Sequence, residues 1–300
     1  MNSWVSAARP RTLPLALSSI LMGNFLAAAA NQFDWAIGAL ACLTTILLQV
    51  LSNLANDYGD AVNGKDTDAR VGPARAVQSG AISAEAMRRA MGLFALLSLG
   101  AGVGLLYVAL QNATAQTFWV FLGIGVLAIV AAVTYTAGKN PYGYVGLGDL
   151  SVLVFFGWVG VLGSYYLQTQ RIDFTLLLPA SSCGLFAVGV LNLNNMRDIE
   201  SDALTGKRSI PVRLGRAKSV VYHWLLLLIG MACSVGFLFI NQPTKPLQWL
   251  FLLSFPLFIR NGMVVSKTQN PRDLDPYLKQ MALSTLLFVL LFGIGLLMAS

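Results

Sequence analysis

Apolar residues run along the chain in long blocks. They show neither the alternation of a half-buried strand nor the narrow stripe of a surface helix. Nine blocks stand out, at residues 12–30, 36–55, 88–110, 117–137, 149–167, 174–195, 219–240, 247–265 and 280–299. Each is near the roughly 20 residues that a helix needs to cross the hydrocarbon core of a bilayer. The pattern predicts an all-α integral membrane protein with nine transmembrane helices, forming one continuous domain over residues 1–300. Pro14, Pro179 and Pro256 fall inside blocks, where membrane helices tolerate proline because neighbours re-satisfy the freed backbone groups. Composition agrees. The chain is 56% hydrophobic and 11% charged, against about 25% charged in a soluble domain, and its mean hydropathy is +0.67.

The interruptions carry the chemistry. The first is Asn53 to Gly80, NLANDYGDAVNGKDTDARVGPARAVQSG, directly after an apolar block. A degenerate copy returns 142 positions later as Asn195 to Gly215, NMRDIESDALTGKRSIPVRLG. Asp60-Ala61-Val62-Asn63-Gly64-Lys65 lies over Asp202-Ala203-Leu204-Thr205-Gly206-Lys207, with Asn53 over Asn195 and Asn56 over Asp198. This reads as a parallel internal repeat. At about 100° per residue, Asn53, Asn56, Asp57 and Asp60 share one helix face, an arc of roughly 100°. Asn195, Asp198 and Asp202 share the matching face, and Glu200 points away. Each copy is expected to be a helix end with oxygen ligands on one side, then a Gly-Lys turn and a basic loop. Oxygen donors at this density suit a hard cation such as Mg²⁺, so Asn53, Asn56, Asp57, Asp60, Asp198 and Asp202 are the candidate metal ligands. Lys65, Arg70, Arg75, Lys207 and Arg208 suit the phosphates that such a cation bridges. The plainer alternative is a solvated helix end with ordinary capping; the second copy in register argues against it. Seven of the 13 acidic residues lie in the two segments. A carboxylate at the centre of a membrane helix costs about 2.5–3.5 kcal/mol, so acidic residues near helix ends in this chain are functional candidates.

Between the copies lies a third polar stretch, Tyr135 to Asp149. Its glycines allow close backbone approach. Tyr135, Tyr142 and Tyr144 are candidates for binding an aromatic acceptor, with an interfacial aromatic belt as the alternative for Tyr142 and Tyr144. Lys139 is a candidate for an anionic group of that acceptor. Asp149 is a candidate to accept its hydroxyl proton, or else caps the fifth helix. Charge then orients the whole. Of the 20 basic residues, 18 fall on the side that carries the three polar stretches, and only Arg171 and Lys245 on the other. The positive-inside rule places the 18 in the cytoplasm, with the N-terminus inside and the C-terminus outside. In this setting the net charge of +7 reflects basic cytoplasmic loops and calls for no nucleic acid. Trp4 to Arg11 reads as a short basic lead into the first span, with no cleavable signal peptide. Cys42, Cys183 and Cys233 lie inside apolar runs and read as small hydrophobes; His223 reads as an interfacial residue.

Oxygen ligands, cations and a wall of membrane helices suit an amphiphile with a phosphorylated head and a long apolar tail, such as a prenyl diphosphate. A bound Mg²⁺ and Lys/Arg side chains would stabilise the departing diphosphate. Aromatic faces and exclusion of water would protect the allylic cation. The residues also resemble a known family. Asn53-x-x-Asn56-Asp57-x-x-Asp60 and Asp198-x-x-x-Asp202 are similar to the two aspartate-rich motifs of UbiA-type intramembrane aromatic prenyltransferases, and Arg9-Pro10-Arg11-Thr12 is similar to that family's opening sequence. Gly64-Lys65-Asp66, Arg70-x-Gly72-Pro73-x-Arg75 and the Tyr142–Asp149 loop resemble one branch, the 1,4-dihydroxy-2-naphthoate polyprenyltransferases. The resemblance covers nearly the whole chain. It implies nine helices around one central cavity in a bacterial inner membrane. It further implies Mg²⁺-dependent transfer of a polyprenyl group from polyprenyl diphosphate to 1,4-dihydroxy-2-naphthoate, with loss of CO₂ and diphosphate, giving demethylmenaquinol for menaquinone synthesis. The cavity is expected to open to the cytoplasm and to membrane lipid. Other readings are a transferase using another acceptor such as 4-hydroxybenzoate, a transporter built from duplicated halves, and a CDP-alcohol phosphotransferase. The last needs a denser acidic run than Asp66-Thr67-Asp68-Ala69-Arg70. A transporter site belongs at the midplane, whereas both acidic segments fall at one membrane face.

Overall fold

The structure, a computed structural model, describes residues 3–66 and 75–298. Among the described residues there is no strand, and nine helices are long and apolar enough to cross a membrane. They are α1 (Ser3–Ala29), α2 (Trp35–Val62), α3 (Ala84–Ala109), α4 (Ala115–Thr134), α5 (Gly148–Thr169), α6 (Phe174–Arg197), α7 (Ile210–Ile240), α8 (Pro246–Lys267) and α9 (Pro271–Leu297). Polar residues just outside the apolar blocks set where several helices begin. Asp34 accepts the N–H groups of Ala36 and Ile37 at the start of α2, and Ser83 and Thr114 cap α3 and α4 in the same way, satisfying donors that the helix itself leaves open. α7 starts well before its apolar block and is broken at Gly215 (φ 76°, ψ 166°).

The helices form two unequal halves joined by α1 and α5. In one, α6 packs against α5, α7 and α9, and α9 against α1 and α8. Phe186, Phe251, Phe258, Phe288 and Phe292 fill its centre, each at most 1% exposed. Phe186 stacks on Phe258 at 4.1 Å and meets Phe288 edge-on at 5.2 Å. Lipid tails are as apolar as these rings, so dense packing rather than exclusion of water holds this half. His223 belongs to this core and not to an interface. It is fully buried, with Nε2 2.9 Å from Asn261 Oδ1, because the early start of α7 carries it inside the helix. In the other half α2 packs on α3 and α4 around Leu51, Leu54 and Met87, and α4 has no buried residue. A cavity of about 1200 Å³ is lined by residues from both halves.

Candidate active site

The first acidic segment is the C-terminal end of α2. Gln49, Ser52, Asn53, Asn56 and Asp60 line the cavity. Asn53 Nδ2 donates to the Ala8 carbonyl (2.8 Å) and to Thr12 Oγ1 (3.0 Å), which ties α2 to the start of α1, where Arg9 holds a left-handed φ of 49°. Asn56 Oδ1 accepts from Thr136 Oγ1 at 3.0 Å. Gly59 permits this approach, since a Cβ there would stand 2.5 Å from the Thr136 carbonyl. Asp57 departs from the expected ligand set. Its carboxylate accepts the backbone N–H groups of Ala76 (3.0 Å) and Val77 (2.9 Å), so it anchors the following loop. At about 100° per residue it lies roughly 90° from the middle of the cavity-facing arc.

The second segment is bent where a continuous helix face was expected. α6 ends at Arg197, Asp198 leaves helical geometry (φ −97°, ψ 13°), and a short helix follows at Ile199–Leu204. Asn195, Asp198 and Asp202 nevertheless all line the cavity, and Glu200 is exposed. Arg197, which by sequence is only one of the loop charges, is 2% exposed and binds Asp198 through Nε (2.9 Å) and Nη2 (2.7 Å). A lone charge beside a candidate ligand at the end of an apolar run was the available signal.

Both segments close with the same turn. Lys65 N donates to the Asp60 carbonyl (2.8 Å) and Lys207 N to the Asp202 carbonyl (2.9 Å). Gly64 (φ 65°) and Gly206 (φ 76°) supply the left-handed residue that this helix ending requires. The lysines then cross over. Lys65 Nζ donates to the Thr205 carbonyl of the other turn. Lys207 Nζ lies 3.1 Å from Asp60 Oδ1 and 3.6 Å from Asp202 Oδ1. Tyr144 sits between them, its hydroxyl donating to Asp60 Oδ1 (2.7 Å) and its ring facing Lys65 and Lys207 at 5.6 and 5.2 Å. Arg75 Nη2 reaches Asp60 Oδ2 at 2.9 Å. Burial alone would lower the Lys207 pKa, but the carboxylates of Asp60 and Asp202 outweigh it and hold the ammonium above its ordinary value. Burial, reinforced by Asp60, raises the Tyr144 phenol, so Tyr144 remains a neutral donor.

Among the described residues no three His, Cys, Asp or Glu side chains already converge as a metal centre. The donor set still fits a divalent cation. Asn56, Asp60, Asn195, Asp198 and Asp202 offer hard oxygens to one cavity, and the Lys207 ammonium already occupies the cation position between two of the carboxylates.

Away from this charged end the cavity wall is largely apolar, with Leu48, Val120, Phe155 and Phe156 among its residues, and it extends to Arg171 and Phe174 at the opposite end of α5 and α6. Phe155 and Phe156 belong to a π-helical stretch, Leu153–Val159, and Phe121 stacks on Tyr166 at 5.0 Å. Tyr135 and Tyr142 also line the wall and meet edge-on at 5.3 Å. Tyr142 Oη donates to the Ala131 carbonyl at 2.9 Å and pairs with Ser151 Oγ at 2.9 Å. Three other expected residues lie elsewhere. Lys139 is exposed in a turn. The Arg208 side chain is exposed, while its backbone N–H bonds the Tyr144 carbonyl. Asp149 accepts from the Tyr222 hydroxyl (2.9 Å) and tethers α5 to α7; Leu147 is the helix cap. A charge can face the right membrane side and still be turned from the cavity by its own loop. Arg70 lies outside the described residues.

The chain matches the UbiA prenyltransferase family over residues 16–286. It is 48% identical to the 1,4-dihydroxy-2-naphthoate octaprenyltransferase of Haemophilus influenzae, over 99% of this chain and 96% of the relative. It is 44% identical to the enzyme of the same name from Escherichia coli, over 98% and 95%. A UbiA homologue from Archaeoglobus fulgidus, solved with GPP and Mg²⁺ bound, superimposes with a TM-score of 0.65 over 99% of both chains at 14% identity. The chain therefore belongs to the UbiA prenyltransferase family.

Proposed function

We propose that the protein transfers a polyprenyl group from polyprenyl diphosphate to 1,4-dihydroxy-2-naphthoate, the acceptor named for its bacterial relatives. In this reaction the allylic C–O bond breaks and diphosphate departs. A C–C bond forms at the ring carbon that bears the carboxyl group, which leaves as CO₂, giving demethylmenaquinol. The observation that carries the reading is the cavity itself, which joins a carboxylate, carboxamide and ammonium cluster at one end to a long apolar wall.

The roles derive from that arrangement. Asp60, Asp198 and Asp202, with Asn56 and Asn195, would hold Mg²⁺; bound there, the ion supplies positive charge to the departing diphosphate. Lys207 shifts from the carboxylates to the phosphates, and Arg75 lines the same head-group space, while Lys65 stands behind it on the Thr205 carbonyl. Tyr135, Tyr142, Phe155 and Phe156 provide flat walls for the acceptor and exclude water from the cation. Tyr144 keeps Asp60 in place. The charged end faces the cytoplasm, on the basis of the basic residues gathered there.

The test is an acceptor panel in detergent with one long-chain prenyl diphosphate. The naphthoate is expected to be prenylated, with activity lost in EDTA and restored by Mg²⁺. Turnover of 4-hydroxybenzoate instead of the naphthoate overturns the acceptor assignment, and full activity in EDTA overturns the metal assignment.

A further inference from the structure

Arg197 is the bulkiest of the fully buried side chains, and the reaction does not call on it directly. Its guanidinium is a rigid fork of donors. Nε and Nη2 both reach Asp198, and Nη2 also reaches Asn194 Oδ1 at 3.0 Å. Nη1 lies 2.5 Å from Asp275 Oδ1, on the first turns of α9, 78 residues further along the chain. Asp275 also lines the cavity, and its side chain is 42% exposed whereas that of Arg197 is 1% exposed.

One buried cation is thus shared between two carboxylates, with a geometric and an electrostatic effect. A fork fixed at Asp275 and Asn194 cannot pivot, so the Asp198 carboxylate it grips keeps one direction. The group of three also carries a net negative charge, so Asp198 stays able to attract a further cation. Without the Asp275 charge, Arg197 and Asp198 form a neutral pair, and that attraction falls.

We propose that Asp275 is a positioning residue. Acting through Arg197, it sets the direction and the charge of Asp198 and makes the seating of α9 part of the head-group site. This rests on the reading that Asp198 helps to hold the divalent ion. Such a partner behind a metal ligand typically changes metal affinity by about 10–100-fold.

The experiment measures binding of Mn²⁺ alone to purified protein in detergent by its electron paramagnetic resonance signal. Thermal unfolding without metal and the Mg²⁺ dependence of turnover are measured beside it. Asp275→Asn is expected to weaken Mn²⁺ binding by about 10-fold and to raise the Mg²⁺ needed for half-maximal turnover by a similar factor. Its kcat at saturating Mg²⁺ falls less than its metal affinity, and its metal-free unfolding temperature moves by less than about 4 °C. Asp275→Glu, which keeps the charge, restores most of the affinity. Asp275→Ser provides the same measurement where the Asn variant does not purify. Unchanged Mn²⁺ affinity in the charge-removing variant overturns the proposal and leaves the proposed function standing. A wild-type protein that binds no Mn²⁺ overturns the proposal together with the assignment of Asp198 as a metal ligand, and leaves prenyl transfer standing.

Discussion

The two acidic segments share a backbone plan and differ in how their charge is held. Asp60, Gly64 and Lys65 correspond to Asp202, Gly206 and Lys207, and the closing turn has the same hydrogen bond in each. Asp57, however, has Ile199 as its counterpart, and Asn56 has Asp198. The reason lies in the stretch of chain just after each segment. After the first, α3 does not begin until Ala84, and Asp57 fastens the chain just ahead of it by the N–H groups of Ala76 and Val77. After the second, α7 begins almost at once at Ile210, and no such stretch has to be fastened. The extra carboxylate of the second segment, Asp198, is turned to the cavity and steadied by Arg197. Two candidate carboxylates in each segment, Asp57 and Asp60 against Asp198 and Asp202, therefore do not mean an equal number of ligands.

The largest effects are expected at the matched pair of carboxylates. Asp60→Ala and Asp202→Ala should each lower kcat by about 10²–10³-fold, as removal of a main transition-state electrostatic contact does, with folding in detergent retained. Near-normal turnover in either variant would separate the two positions. Lys207→Met should cost about 10–100-fold in kcat/KM for the prenyl diphosphate, since charge-assisted contacts contribute about 1.5–3 kcal/mol. Lys65→Met should cost less, because Lys65 binds a backbone carbonyl and not a carboxylate. Equal losses would show that the crossing lysines are equivalent.

Asp57→Asn sharpens the contrast from the other side. The carboxamide offers one acceptor oxygen where two are used, so about 1.5–3 kcal/mol of loop anchoring is at risk. The expected result is a lower unfolding temperature and faster proteolysis near Ala76, with an unchanged Mg²⁺ requirement. A raised Mg²⁺ requirement without destabilisation would return Asp57 to the ligand set. The smallest effect belongs to Glu200→Ala, which should leave turnover within about 2-fold, as for other exposed positions.

Much of the molecule is legible in its sequence. The span pattern is set by bilayer thickness, so the block at 174–195 locates α6 to within a few residues, and the block at 36–55 locates the start of α2, which runs on past the block's end to Val62. Asp60 and Asp202 are legible because a helical period places both on a face with other oxygen donors. The role of Asp57 is not, because a 100° arc includes its edges, and only the neighbouring loop shows which edge meets the cavity. The role of Asp149 is hidden for a related reason. Its partner, Tyr222, is distant in sequence, and no local rule pairs them.

Hydropathy and charge alone determined that this chain has nine segments long and apolar enough to cross a membrane and two matched acidic turns. Both arise from local constraints, the apolar length a bilayer demands and the turn that a Gly-Lys ending allows. Tertiary structure alone decided that Lys65 and Lys207 exchange partners, that Tyr144 stands between them, and that Arg197 is shared by Asp198 and Asp275. The Lys65–Thr205, Lys207–Asp60, Tyr144–Asp60 and Arg197–Asp275 contacts join positions 78 to 147 residues apart. Their existence depends on how whole helices pack, which helix periodicity and composition do not encode.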